Sequence, residues 1–338
     1  MNNLCQEARK EFKYLEISKR RDRMKSTWNA YSSLHSSQTV QRLLQRLYEK
    51  NKILNAEQKA FENSYAFMYY LMHAENYYKT ALVSPLAVQP TLIFYGISQL
   101  LKAALLTVDV NYPASSNILA HGVSTRKRKK QQYQFLQDEV KIQKNGLFGY
   151  AANCLFHMKH VEGEKFSMFS LLKRIPELHS LFVTHSEKQM LFPLHISDKT
   201  ICIDKSLSDH YLISTERLKD LLNQKLSLHF IEEKNNKLLY QIPSSVDILW
   251  KSKVLVDFNE DKYYLPIKRE DLTLFPEILA HYLILYNLSM ISRYETEWWY
   301  DLLFSHFSDD YIFIKQFVDI SCWKTPILFY SYFHFKLL

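Results

Sequence analysis

The chain has 338 residues, 47% apolar and 23% charged, a composition that excludes wholesale disorder and suits one or two hydrophobic cores. It contains 5 glycines, where average usage of about 7% would give roughly 24. Neither G-x-G-x-x-G nor G-x-x-x-x-G-K-[ST] can be written from them, which excludes Rossmann-type and P-loop nucleotide binding in their usual form. The net charge of +8 is concentrated in two clusters, Lys10, Lys13, Lys19, Arg20, Arg21, Arg23 and Lys25, then Arg126, Lys127, Arg128, Lys129 and Lys130. Such clusters attract phosphates or acidic protein faces, and the plain alternative is a solvated basic loop.

In chain order, residues 1–37 form a basic N-terminal segment, and helical spacing starts with Val40, Leu43, Leu44, Leu47 and Tyr48. Asn55 followed by Gln58 resembles a capping box opening a second helix, with Phe61, Tyr65, Phe67, Tyr69 and Leu71. Pro90 suits the first turn of a strongly apolar helix reaching about Val108. Helical spacing returns at 151–183, interrupted by Gly163 and Pro176. Six short strand-like segments follow: Met190–Ile196, Thr200–Asp204, Leu226–Glu232, Lys237–Ile242, Ile248–Asp257 and Lys262–Ile267. A helix at Thr215–Leu226 lies among them, and residues 233–237 and 258–261 read as hairpin connections. From Pro276 the chain is helical again, and a further helix starts near Glu295. The predicted organisation is a helical region at 38–184, a small antiparallel sheet region with one helix at 185–270, and a helical region at 271–338 that packs back on the first. The fold class is α+β, mainly α-helical with an embedded small antiparallel sheet.

Cys5, Cys154, Cys202 and Cys322 are far apart with no C-x-x-C, so reduced thiols are expected. The N-terminus has no apolar core of a signal peptide, and polar residues interrupt the most apolar stretch, 84–110. A cytoplasmic protein with no membrane contact is the expectation.

Four blocks carry a family resemblance: Tyr95-Gly-Ile-Ser-Gln-Leu-Leu-Lys-Ala-Ala-Leu-Leu106, Leu119-Ala-His-Gly122, Glu139-Val-Lys-Ile-Gln-Lys-Asn-Gly-Leu-Phe148 and Leu288-Ser-Met-Ile-Ser-Arg-Tyr-Glu-Thr-Glu-Trp-Trp299. Their order across roughly residues 40–330 resembles the YaaC-like family of bacilli and relatives, a resemblance that implies no particular activity. The Lys-Ala-rich helix end followed by His121-Gly122 is more distantly similar to HEPN helical domains. Some of those are metal-independent ribonucleases with an Arg-x4–6-His motif, and others only bind nucleotides or RNA. Arg174-Ile-Pro-Glu-Leu-His179 fits that motif, although Pro176 disturbs the helix that would align its ends.

Tyr95, Gln99 and Lys102 fall at i, i+4 and i+7 on an otherwise apolar helix, where a lysine must snorkel, find a carboxylate or bind an anion. His121 joins them as a proton carrier if its loop folds back; otherwise it caps a loop and Lys102 marks the solvent side. Asn287, Arg293, Tyr294, Glu295, Glu297, Trp298 and Trp299 form a second polar-aromatic block. There Arg293 and Glu297 can pair at i, i+4, as an anion clamp or as a plain helix junction. His157, His160, Glu162 and Glu164 match no zinc spacing and read as surface residues. No G-x-S-x-G elbow occurs, and no cofactor or metal is expected. The preferred reading is a non-catalytic binding or regulatory protein whose partner is an acidic protein surface or RNA or nucleotide phosphate. The alternatives are a HEPN-like RNA-binding protein or ribonuclease using His121 or Arg174 with His179, and a nucleotide sensor using Lys102 and Arg293. The sequence leaves the oligomeric state open.

Overall fold

The computed structural model describes residues 22, 24–125, 133–186, 188–197, 200–226, 228–241, 250, 254–273, 276–305 and 308–338. Of the basic clusters, Lys25 lies exposed on α1 (24–31); Lys10, Lys13, Lys19, Arg20, Arg21, Arg23 and Arg126, Lys127, Arg128, Lys129 and Lys130 lie outside the described residues.

After α1 come α2 (Ser37–Lys50), α3 (Ala56–Val83) and α4 (Gln89–Leu106). Val40, Leu43, Leu44, Leu47 and Tyr48 are the buried stripe of α2, an amphipathic helix of the usual kind. The capping box expected at Asn55 does not form: Asn55 is left-handed (φ 55°) and its side chain caps nothing. Pro90 does sit in the first turn of α4, where its missing N–H costs no hydrogen bond. α4 is buried on most sides because α3 and the helices Glu277–Tyr294 and Asp310–Leu337 all pack on it. Gly96 permits the closest approach: a Cβ there would lie 2.6 Å from the Tyr78 ring of α3.

The next stretch holds β1 (Val123–Thr125), β2 (Glu139–Ile142), α5 (Leu147–Phe156), β3 (Lys165–Ser167), α6 (Met168–Leu172) and α7 (His179–Ser186). The three strands form a small antiparallel sheet, β1-β2-β3, that the helical spacing of this region did not announce. A second sheet is built from β4 (Leu191–Ser197), β5 (Thr200–Asp204), β6 (His229–Lys234), β7 (Lys237–Gln241), β8 (Leu255–Asp257) and β9 (Lys262–Pro266), with α8 (Leu207–His210) and α9 (Thr215–Leu226) inserted after β5. Its order is β6-β7-β5-β4-β9-β8, antiparallel throughout. The β6–β7 turn places Asn235 and Asn236 at φ 50° and 62°, the paired positive φ that a tight two-residue hairpin demands and asparagine tolerates.

Helices then return as α10 (Glu277–Tyr294), α11 (Thr296–Ser305) and α12 (Asp310–Leu337). One hydrophobic core joins all the long helices and the three-stranded sheet. A second lies within the six-stranded sheet, where Leu218, Leu222 and Leu226 of α9 meet Ile201, Ile203 and Leu238. The protein is thus mainly helical α+β. Among the described residues, no helix is long and apolar enough to cross a membrane.

Candidate functional site: a cationic and aromatic face on α4

α4 runs antiparallel to both of its neighbours at this face. On the α3 side, Tyr95 stacks on Tyr77 at 5.7 Å and Lys102 Nζ lies 5.8 Å from the Tyr70 ring. On the α10 side, Thr91 hydrogen-bonds Ser292 (2.9 Å) and Phe94 packs edge-on against Tyr282 and Tyr286. Ile97, Leu100 and Leu101 are sealed, while Tyr95, Gln99 and Lys102 remain half-buried along one line. Seven residues at 1.5 Å per residue make that line about 10 Å long.

His121 closes on this line. The carbonyls around it are tied down: Ala120 accepts from Leu147 N–H (2.7 Å), and His121 itself accepts from Phe148 N–H (3.2 Å) and Tyr282 O–H (3.0 Å). Gly122 (φ 77°) and Gly146 (φ 126°) cross so closely that a Cβ on Gly146 would run into the Gly122 backbone. The imidazole therefore enters a ring of aromatics, 4.9 Å from Phe94, 5.8 Å from Tyr286 and 6.1 Å from Tyr95.

Arg293, on the last turn of α10, arrives from the other side. Its Nε donates to the Ser289 carbonyl (2.9 Å) and its Nη1 to the Tyr95 hydroxyl (3.4 Å), and its guanidinium lies 6.0 Å from the Tyr95 ring. The two polar blocks of the sequence, 95–121 and 287–299, thus meet through Tyr95, His121 and Arg293.

The electrostatics are one-sided. Burial lowers the pKa of His121, and the positive charges of Arg293 and Lys102 lower it further. Burial also lowers Lys102. Among the described residues, neither Lys102 nor Arg293 has a carboxylate within ion-pairing distance. Two cations and a neutral imidazole in a half-dry aromatic setting have the chemistry to attract an anion. The tyrosines supply flat faces for a planar group.

Other expected partners fall elsewhere. Arg293 and Glu297 do not pair, because α10 ends at Tyr294 and Glu297 is an exposed residue of α11. Trp299 is buried and donates to the Ala87 carbonyl (2.9 Å), while Trp298 packs edge-on against Tyr133 at 4.4 Å. These tryptophans are packing groups. Asn287 is fully buried away from solvent. His157, His160, Glu162 and Glu164 are exposed, and among the described residues no group of His, Cys, Asp and Glu could hold a metal ion.

Arg174 and His179 are also removed from the face. Arg174 is 1% exposed, donates to the Asp271 carbonyl (2.8 Å), and burial pulls its pKa down to about 10. A 3₁₀ turn at Pro176–Leu178 separates it from His179, whose ring lies 5.7 Å from Tyr264. A guanidinium enclosed in this way cannot reach a substrate phosphate. Arg174 and His179 therefore lie away from the α4 face, and of the three acid–base candidates only His121 joins it.

Tyr70, Tyr77, Phe94 and Tyr286 are the residues of the face that the sequence reading missed. Tyr70 and Tyr77 stand seven apart on α3, as Tyr95 and Lys102 do on α4. The matching interval becomes a signal only once the two helices are known to pack antiparallel.

No curated protein and no solved structure matches this chain. A family model described as YaaC-like Protein matches residues 32–333, which include every residue of the face, and the chain belongs to that YaaC-like family.

Proposed function

We propose that this YaaC-like chain is a cytoplasmic, non-catalytic binding protein that holds a phosphate-bearing ligand, a nucleotide or nucleic-acid phosphate, at the Tyr95, Gln99, Lys102, His121 and Arg293 face. One observation carries the reading: Lys102 and Arg293, from helices almost two hundred residues apart in sequence, both bear on His121, and neither has a carboxylate partner among the described residues. A folded protein rarely keeps half-buried cations without a counter-ion unless it has a use for them, and burial works against the charged form of Lys102. Tyr77 and Tyr95, stacked at 23° beside them, suit a base ring.

Thermal shift and calorimetry with a panel of mononucleotides test this, since a ligand that binds only the folded state raises its melting temperature. Lys102→Met and Arg293→Gln are each expected to weaken the best ligand by about tenfold or more, the scale of a lost charged hydrogen bond. Lys102→Met should leave the melting temperature of the free protein unchanged, whereas Arg293→Gln gives up the bonds to the Ser289 carbonyl and the Tyr95 hydroxyl and should lower it modestly. A panel with no stabilising member, or full affinity in both variants, overturns the reading.

A further inference from the structure

We propose that the exposed aromatic row of α3 extends this face into a track for a single strand of nucleic acid; the proposal rests on the phosphate-binding reading and specifies its ligand. Phe61, Tyr65 and Tyr69 follow one another at four-residue intervals on the outer side of α3, exposed by 57%, 46% and 57%. The Tyr65 and Tyr69 rings are 6.2 Å apart. Next to them around the helix, His73 contacts Tyr77 at 4.6 Å, and Tyr77 and Tyr70 face Tyr95 and Lys102. Phe61, Tyr65, Tyr69, His73 and Tyr77 thus follow one another at four-residue steps along α3, with ring contacts at Tyr65–Tyr69 and His73–Tyr77, and Tyr77 leads on to Tyr95 beside Arg293. Sixteen residues separate Tyr77 from Phe61, about 24 Å of helix.

Charge selects the occupant. The acids beside the row are largely neutralised in place, Glu62 by Lys59 (3.0 Å) and Glu75 by Lys79 (2.7 Å), and Glu57 lies at the far end in the first turn of α3. Positive charge remains at Lys102 and Arg293. A second copy of the same face would bring cations against cations. A single strand brings phosphates to the cations and unstacked bases to the rings, the pairing of groups that sequence-tolerant single-strand binders use. Gln99, half-buried between the cations, offers an amide to a sugar hydroxyl or base edge.

The test uses the full chain, a fluorescein-labelled oligouridylate of about ten nucleotides read by anisotropy, and uridine monophosphate read by calorimetry. The oligomer is expected to bind about tenfold or more tighter than the monophosphate. The triple variant Phe61→Ser, Tyr65→Ser, Tyr69→Ser should lose that advantage and keep monophosphate affinity. Oligomer binding should also fall steeply as salt rises. Three results overturn the track: an oligomer no tighter than the monophosphate, a triple variant that binds the oligomer normally, or a wild-type dimer in light scattering that the triple variant dissolves. If the monophosphate still binds in those cases, the face stands and only the track is lost. Failure of both ligands removes the underlying reading as well.

Discussion

At the scale of single residues, the face depends on what burial does to His121 and Lys102. His121 loses stability as an imidazolium through desolvation first and through the Arg293 and Lys102 charges second, so it is neutral in the free protein near pH 7. A bound anion reverses the sign of its surroundings and favours the proton. Binding should therefore take up one proton as pH falls below about 6.5, the ordinary histidine value, with affinity rising by up to about tenfold per unit. A dinucleotide with no terminal phosphate is the ligand to use, because its phosphodiester does not titrate in that window. His121→Ala should flatten the profile, and a slope that survives the substitution would assign the proton to another group. Lys102 was legible as an anomaly in an apolar helix, and its i+7 relation to Tyr95 was enough to place both on one line. Arg293 was legible as a cation but not as a neighbour of Tyr95, since 198 residues separate them and only packing brings them within 3.4 Å.

At the scale of elements, the decisive piece is the clamp that aims His121. The loop 119–122 has no regular structure to stiffen it beyond a 3₁₀ turn at Ser116–Leu119, and the start of α5 holds it instead. Gly146→Ala would place a methyl group against Gly122 and 2.8 Å from the Ala120 carbonyl, at a φ that side chains avoid. It should cost about 1–3 kcal/mol of stability and also weaken ligand binding by displacing His121. Gly149→Ala, three residues on and with its nearest neighbour 3.9 Å away, should be neutral or stabilising by up to about 1 kcal/mol. Equal losses in both variants, measured by chemical denaturation, would refute the clamp. Elements whose periodicity is set locally were readable: Thr200–Asp204 and Thr215–Leu226 occur as the alternation and helical spacing suggest. β1, β2 and β3 were not, because three- and four-residue strands carry too few positions to show a period of two. The Asn55 capping box failed for a related reason. The motif names residue types, but the left-handed backbone at Asn55 leaves its side chain without a cap hydrogen bond.

At the scale of the whole molecule, the two hydrophobic cores are joined by buried charge. Lys324 of α12, with no solvent exposure, pairs with Glu177 (2.8 Å) and Glu277 and donates to the Val256 carbonyl of β8 (2.8 Å). Glu177 also accepts from Phe258 N–H (3.2 Å), and His281 bridges Glu277 to Ser321. Burial works against the charge of Lys324, and the two carboxylates outweigh it and hold the proton on. Burial also pushes Glu177 up to about 7. Lys324→Met leaves both carboxylates enclosed without a cation and should cost about 3–5 kcal/mol in chemical denaturation. A cost under about 1 kcal/mol would mean that the network contributes specificity alone. Nothing in the sequence distinguished Lys324 from the other lysines, because its environment is made by the 3₁₀ turn at Pro176–Leu178, α10 and β8 from distant parts of the chain.

Composition and helical periodicity were sufficient by themselves for a mainly helical α+β protein, and the five glycines for the lack of a G-x-G-x-x-G or P-loop motif, since those properties depend on residue type and near neighbours. The blocks at 95–106, 119–122, 139–148 and 288–299 were sufficient for the family. Which cations meet and which stay apart was decided only in three dimensions. The pairing of α3, α4 and α10 carries Arg293 to Tyr95 and His121, while the ends of α10 and α6 send Glu297 to the surface and Arg174 to the interior. Charge–charge energies depend on distance and local dielectric, and neither is written in a linear chain.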